Sequence, residues 1–230
     1  MYAVVDAFTA EADALGHAAS RWPADAWDRP TRCSPWSVRD LLGHVHVVIA
    51  WLPAMLDTPA PDRATASDRA TASDQATASG QAIVEAVGYY RPDARFSPET
   101  DAARIRLAQD RAASFATPGE QVREFRALVQ QVTARCRAEP PSRMVRTRHG
   151  DPMLLTEFLR TRVFELAVHG LDLADALDRP PWLTPPAANT VLSLLFEDLP
   201  PDLPAPPDRL IRQATGRAPA GSLPGRLTLG

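Results

Sequence analysis

Residues 155–177, LTEFLRTRVFELAVHGLDLADAL, carry the pattern that decides the fold. Apolar side chains at Phe158, Leu159, Val163, Phe164, Leu166, Val168, Leu171, Leu173 and Leu177 cover most of a helical circumference rather than a single stripe. A helix of that kind sits at the centre of its domain and is packed on several sides. Two groups that ionise, Glu165 and His169, are set into it four residues apart, so they project from one face, one above the other. Phe158, Leu166 and Leu173 share that inward face. A carboxylate and an imidazole turned inward are costly unless something compensates them. A divalent metal would do so, with a third ligand such as His44, in WSVRDLLGHVHVV (36–48), arriving from another helix. The spacing alone would also suit a surface pair worth roughly a few tenths of a kcal/mol.

Working outward, residues 1–21 repeat apolar side chains at helical spacing (Val4, Val5, Phe8, Ala12, Leu15, Ala19) and predict a first helix. A loop of Trp, Pro and Asp from Trp22 to Pro35 precedes a second helix. Ser37 with Asp40 three residues on reads as its capping box. Val38, Leu41, Leu42, Val45, Val48, Ile49, Leu52 and Leu56 form its apolar stripe, and His44 and His46 lie on opposite borders of it. Periodicity therefore does not say which histidine turns inward. Helices are predicted over 98–115 and 118–138. A connection over 140–153 includes a short extended pair around Met144–Thr147 and a turn at Gly150-Asp151-Pro152. Thr184 followed by Pro185 caps a last helix. No long alternating strand pattern occurs, so the expected architecture is all-α, a four-helix bundle over 1–199 with a short proline-rich C-terminal extension, 200–230, wrapping the surface.

Within the bundle, residues 62–80 repeat as DRATAS, DRATAS, DQATAS. The unit is too short for a solenoid and too poor in large apolar groups to offset the entropy of ordering, so it reads as a low-complexity insertion. With 230 residues, 45% hydrophobic and 23% charged, the chain is long enough to enclose a core. A net charge of −3 carries no nucleic-acid footprint, and no run of about 18 apolar residues predicts a membrane span. No secretion signal is evident at the amino terminus, which predicts a cytoplasmic protein. All 25 basic side chains are arginine, consistent with a GC-rich coding sequence, and the absence of lysine excludes Schiff-base catalysis. The two cysteines, Cys33 and Cys136, are too few for a disulfide framework and read as free thiols, Cys33 in a loop-capping or packing role.

WDRPTRCSPWSVRDLLGHV (27–45) resembles the amino-terminal signature of the mycothiol-dependent maleylpyruvate isomerase family, part of the DinB-like bundle superfamily. HGDPMLLTEFLRTRVFELAVHGLDLADAL (149–177) resembles that family's second signature, and the ATGR tail (214–217) extends the similarity over about residues 5 to 220. The resemblance implies a DinB-like four-helix bundle holding a divalent metal, usually zinc, by one histidine of the second helix and a Glu-x-x-x-His pair of the fourth. His44, Glu165 and His169 match these positions, so the resemblance selects His44 over His46. It also implies mycothiol as thiol cosubstrate, with its sulfur near the metal.

A thiol entering an open position of such a metal would be deprotonated and become nucleophilic. The expected activity is addition of that thiolate to a small electrophilic substrate, as a thiol S-transferase or an isomerase, by a monomer or homodimer. The short stretch beyond the last helix tilts the expectation toward transfer. Asp172, three residues after His169, is a candidate to orient that ligand. Arg162, one turn before Glu165, is a candidate for binding the thiol cofactor or pairing with a ligand. Arg217 is a candidate cationic clamp on the substrate. The competing readings are a metal hydrolase, with Asp172 as the available general base, and a small-molecule-binding protein that kept the fold without catalysis.

Overall fold

The computed structural model describes residues 1–59, 83–90 and 97–219, so the 62–80 repeat lies outside the described residues. Helix α1 spans Tyr2–Ala19, α2 Val38–Asp57, α3 Ala86–Tyr89, α4 Pro98–Ala113 and α5 Pro118–Ala138. A short antiparallel pair follows, β1 Met144–Arg146 with β2 Pro152–Leu154, in which Val145 faces Met153. Gly150, at φ +90°, supplies the left-handed turn residue between them. The chain then enters α6 Leu155–Ala176, α7 Pro185–Leu195 and α8 Pro207–Ala214. Among the described residues no helix is long and apolar enough to cross a membrane.

Four long helices close a ring: α1 packs on α6, α6 on α2, α2 on α5 and α5 on α1. This is the all-α four-helix bundle expected from the apolar periodicities. Phe8, Leu15, Leu42, Ile49, Phe125, Leu159 and Leu166 fill its centre with essentially no exposure. Helix α6 buries residues all along its length, as its near-continuous apolar surface requires. Helix α4 flanks α2, α7 flanks α1 and α6, and α8 packs on α7 and α6.

The ends of the helices follow local chemistry. The Ser37 hydroxyl accepts from the Asp40 N–H, and the Asp40 carboxylate accepts from the Ser37 N–H, so the reciprocal capping box is complete. Thr184 stands at the N-cap position of α7, with Pro185 first in the helix as expected, but its side chain is engaged elsewhere. Its N–H and hydroxyl both donate to Oε2 of Glu11, at 2.8 and 2.7 Å, and its side chain accepts no cap hydrogen bond. The buried carboxylate takes both the N–H and the hydroxyl proton of Thr184, and the result ties α1 to the start of α7.

The segment after 199 also departs from the sequence expectation. It contains α8, whose Leu210 and Ile211 are buried, and the turn beyond it reaches back to α6. Close helix approach is visible at Gly43, where an added Cβ would lie 2.5 Å from the carbonyl oxygen of Ala108 and 3.2 Å from the Ala112 Cβ. Backbone oxygen cannot move aside cheaply, so Gly43→Val is expected to prise α2 from α4 and destabilise the fold by about 3 kcal/mol, read as a lowered midpoint in urea unfolding.

Candidate metal centre

Helix α6 presents Glu165 and His169 from successive turns, and α2 presents His44 opposite them. Oε2 of Glu165 lies 3.3 Å from Nε2 of His169 and 3.5 Å from Nε2 of His44. One donor atom from each of the three residues falls within 4.8 Å of the others. The His44 and His169 rings stand edge to face with centroids 5.0 Å apart, and Trp36 stacks on the outer face of His44 at 4.7 Å. The group is close to what a small cation needs before its ligands draw in.

The histidine tautomers are set by their neighbours. Asp172, fully enclosed, accepts from Nδ1 of His169 at 3.1 Å, so the Nδ1 proton points at a carboxylate and Nε2 is the ring nitrogen turned to Glu165. Asp172 is in turn gripped by Arg217, whose Nε and Nη2 donate to its two oxygens at 2.7 and 2.8 Å. The Cys33 thiol donates to the same carboxylate at 3.4 Å, and Arg32 approaches within 3.9 Å. Arg217 is thus a partner of Asp172 first, with its backbone held by the Arg32 guanidinium through the Arg217 carbonyl.

The electrostatics follow from this arrangement. Burial pushes His44 down to about 4, so it is neutral at pH 7, with one of its two ring nitrogens unprotonated. Burial opposes charge on Glu165 too, but hydrogen bonds from His169 and His44 hold its carboxyl well below the usual range. For His169, burial is outweighed by the hydrogen bonds to Asp172, Cys33 and Glu165, which raise its pKa well above the ordinary value. Asp172 is likewise depressed, burial being overcome by His169 and Arg217. Neutral His44, ionised Glu165 and a His169 whose proton a cation can displace form a donor set that fits a divalent metal.

A cavity of about 220 Å³ opens over these groups. Trp36, Trp51, Tyr89 and Phe164 supply its apolar walls, while Arg104, Arg148, Arg162 and Arg217 supply positive charge; Glu165 is the sole carboxylate on its lining among the described residues. Arg162 is completely enclosed. Its guanidinium sits 4.5 Å from the centre of the Phe158 ring, donates through Nη1 to the Val48 carbonyl and through Nε to the Thr161 hydroxyl. Tyr90 approaches Glu165 from the other side.

His46, the other histidine of α2, faces away from this cavity. It accepts from Nη2 of Arg111 at 2.6 Å and packs by Phe115 and Phe125. Periodicity could not separate the two histidines because α2 is buried on both sides. Burial and the Arg111 charge push His46 down to about 4 from an ordinary 6.5. Between those values the unfolded chain binds the extra proton, so this contribution to stability is complete above pH 6.5 and is lost as pH falls toward 4. The whole span corresponds to about 3 kcal/mol. His46→Gln, which keeps an acceptor for Arg111 without a titration, is expected to flatten the acid limb of stability against pH. Cys136 is remote and inert, its thiol pushed up to about 12 by burial first and Glu139 second.

Residues 8–174 match the family model described as the mycothiol maleylpyruvate isomerase N-terminal domain. The match includes the three residues grouped at the floor of the cavity and Asp172. No curated protein and no solved structure matches the chain significantly.

Proposed function

Because the chain belongs to the mycothiol maleylpyruvate isomerase N-terminal domain family, we propose that it is a cytoplasmic, metal-dependent enzyme that joins the thiol of mycothiol to a small electrophile, as an S-transferase or an isomerase. The observation that carries this reading is the convergence of His44, Glu165 and His169 under one cavity. Two imidazoles and a carboxylate are the three-ligand set of a catalytic zinc site, which leaves coordination positions open. A divalent cation there supplies one thing, a lowered pKa for an incoming thiol that is otherwise near ~8.5 and mostly protonated at pH 7.

The chain's own residues do the rest. Asp172 directs the Nδ1 proton of His169 away from the cavity, and Arg217 holds Asp172 in place through two hydrogen bonds. Trp36, stacked on His44, excludes water from one side of the centre and prevents that ring from turning. Neither cysteine lines this cavity: Cys136 is buried away from the site, and the half-buried Cys33 thiol donates to Asp172. The guanidinium groups of Arg148 and Arg162 favour an electrophile bearing an anionic group, whose charge they would balance. A water-activating hydrolase would need a free base. Asp172 does not serve, since both of its oxygens are taken by Arg217 and one also by His169.

Metal analysis of the purified protein, combined with assays of mycothiol against a panel of anionic and neutral electrophiles, tests this. One divalent ion per chain and turnover that requires both the ion and the thiol are expected. Turnover that persists after chelation, or that proceeds without thiol, overturns the reading.

A further inference from the structure

We propose that Tyr90 is a positioning residue that restricts Glu165 to one coordinating oxygen, an inference that rests on the metal-centre reading above. The two carboxylate oxygens of Glu165 have different surroundings. Oε2 faces both imidazoles, at 3.3 and 3.5 Å. Oε1 is turned to the phenol of Tyr90, whose hydroxyl lies 3.2 Å from it and 3.1 Å from the Thr161 carbonyl. A phenol has a single proton, and the ionised carboxylate is the stronger of the two acceptors.

The phenol is held there by more than its own hydrogen bond. Its ring is clamped between Phe164, at 4.8 Å, and Tyr89, at 5.4 Å. The segment 83–90 is stitched to β2 and to one side of α6. The Val84 N–H donates to the Pro152 carbonyl at 3.0 Å, and the Ala86 N–H donates to Oε2 of Glu157 at 2.9 Å. Glu157, Thr161 and Glu165 follow one another at four-residue spacing, a single stripe of the helix. The stretch that returns the chain after the repeat thus ends in a side chain aimed at a ligand of the centre. A carboxylate that ligates through both oxygens fills two coordination positions. Tying one oxygen to Tyr90 keeps the second position open for the thiol and keeps the first oxygen aimed at the cation.

The test compares wild type with Tyr90→Phe, which keeps the ring packing and removes the hydroxyl. Zinc affinity is measured by chelator competition, and the visible spectrum is recorded after cobalt substitution. The Phe variant is expected to bind zinc about tenfold more weakly, and its cobalt bands are expected to weaken as Glu165 takes up a second coordination position. A folded Tyr90→Phe protein with wild-type affinity and an unchanged cobalt spectrum overturns the proposal, even if it melts earlier, because that pattern marks a purely structural tyrosine. Should the Phe variant fail to fold, Glu157→Ala removes the acceptor of the Ala86 N–H and leaves the phenol intact; weaker zinc binding is expected, and unchanged binding overturns the proposal. A wild-type protein that holds no metal defeats the metal-centre reading itself, a result distinct from a wild type that binds metal and a Phe variant that binds it equally well.

Discussion

His169→Ala is expected to strip the centre of its cation and reduce thiol-dependent turnover to background. The substitution removes the Nε2 donor that lies 3.3 Å from Glu165 and leaves one imidazole and one carboxylate, too few to enclose a catalytic metal. Loss of an outer partner of a ligand costs about 10–100-fold in affinity, and loss of the ligand itself exceeds that. The stability consequence separates this from a simple active-site defect. A ligand present at about a thousand times its dissociation constant adds roughly 4 kcal/mol to the folded state, so zinc should raise the unfolding midpoint of wild type and leave the variant unmoved. The metal-free variant should itself be weaker, since Glu165 loses one of its two imidazole partners within an enclosed site; removing one member of a buried pair costs about 3 kcal/mol. Metal analysis after dialysis and unfolding with and without zinc check both effects. A variant that retains one tightly held ion per chain would remove His169 from the centre.

The parts of this site that were legible in the sequence are those written in local periodicity. The apolar circumference of 155–177 marked the central helix. The four-residue spacing of Glu165 and His169 put both on one face, and Ser37 with Asp40 marked where the second helix begins. Periodicity was silent where a helix is buried on opposite sides: His44 meets α6 and His46 meets Arg111, and both borders of the stripe lie inside. Arg162 reads in the sequence as a charge available to a ligand; it lines the cavity, but its guanidinium also packs on the Phe158 ring and donates to the Val48 carbonyl, a contact across 114 positions that helical spacing does not show. Tyr90 carried no signal at all, because nothing in a tyrosine after a low-complexity stretch says that it will meet a carboxylate 75 positions later. The tail was misread for a related reason. Its prolines suggested a surface wrap, although Pro207 at the first position of a helix and the adjacent apolar pair Leu210 and Ile211 were a short helix signal. The helix sets the turn that brings Arg217 to Asp172.

That pairing yields the second large effect, expected for Asp172→Asn. The carboxylate accepts two hydrogen bonds from Arg217, one from His169 and one from Cys33 while offering no proton in return. The amide has nearly the same shape, but one of its two terminal atoms is now a donor. Whichever way it turns, it presents N–H groups either to the guanidinium or to the side shared with His169, so one favourable contact becomes a clash of donors. Turned to favour His169, it leaves a largely buried Arg217 half satisfied, at a cost of about 3 kcal/mol in stability. Turned the other way, its N–H groups face Nη2 of Arg217 as well as His169, so it releases the His169 ring, and zinc affinity falls about 10–100-fold. Arg217→Met separates the two consequences, because it removes the guanidinium while leaving the carboxylate on His169: it is expected to destabilise the fold yet keep most of the metal affinity. The pH dependence gives a further distinction. Asp172 has its folded pKa below the ordinary 3.8, so its contribution is complete above that value and is lost only as pH falls below it. Asp172 also raises the pKa of His169, whose contribution is present below pH 6.5 and declines as pH rises above it, so the penalty for Asp172→Asn should be flat near pH 5 and shrink toward pH 8, opposite in sense to the slope assigned to His46. An Asn variant with wild-type zinc affinity and stability would show that the carboxylate does not orient His169.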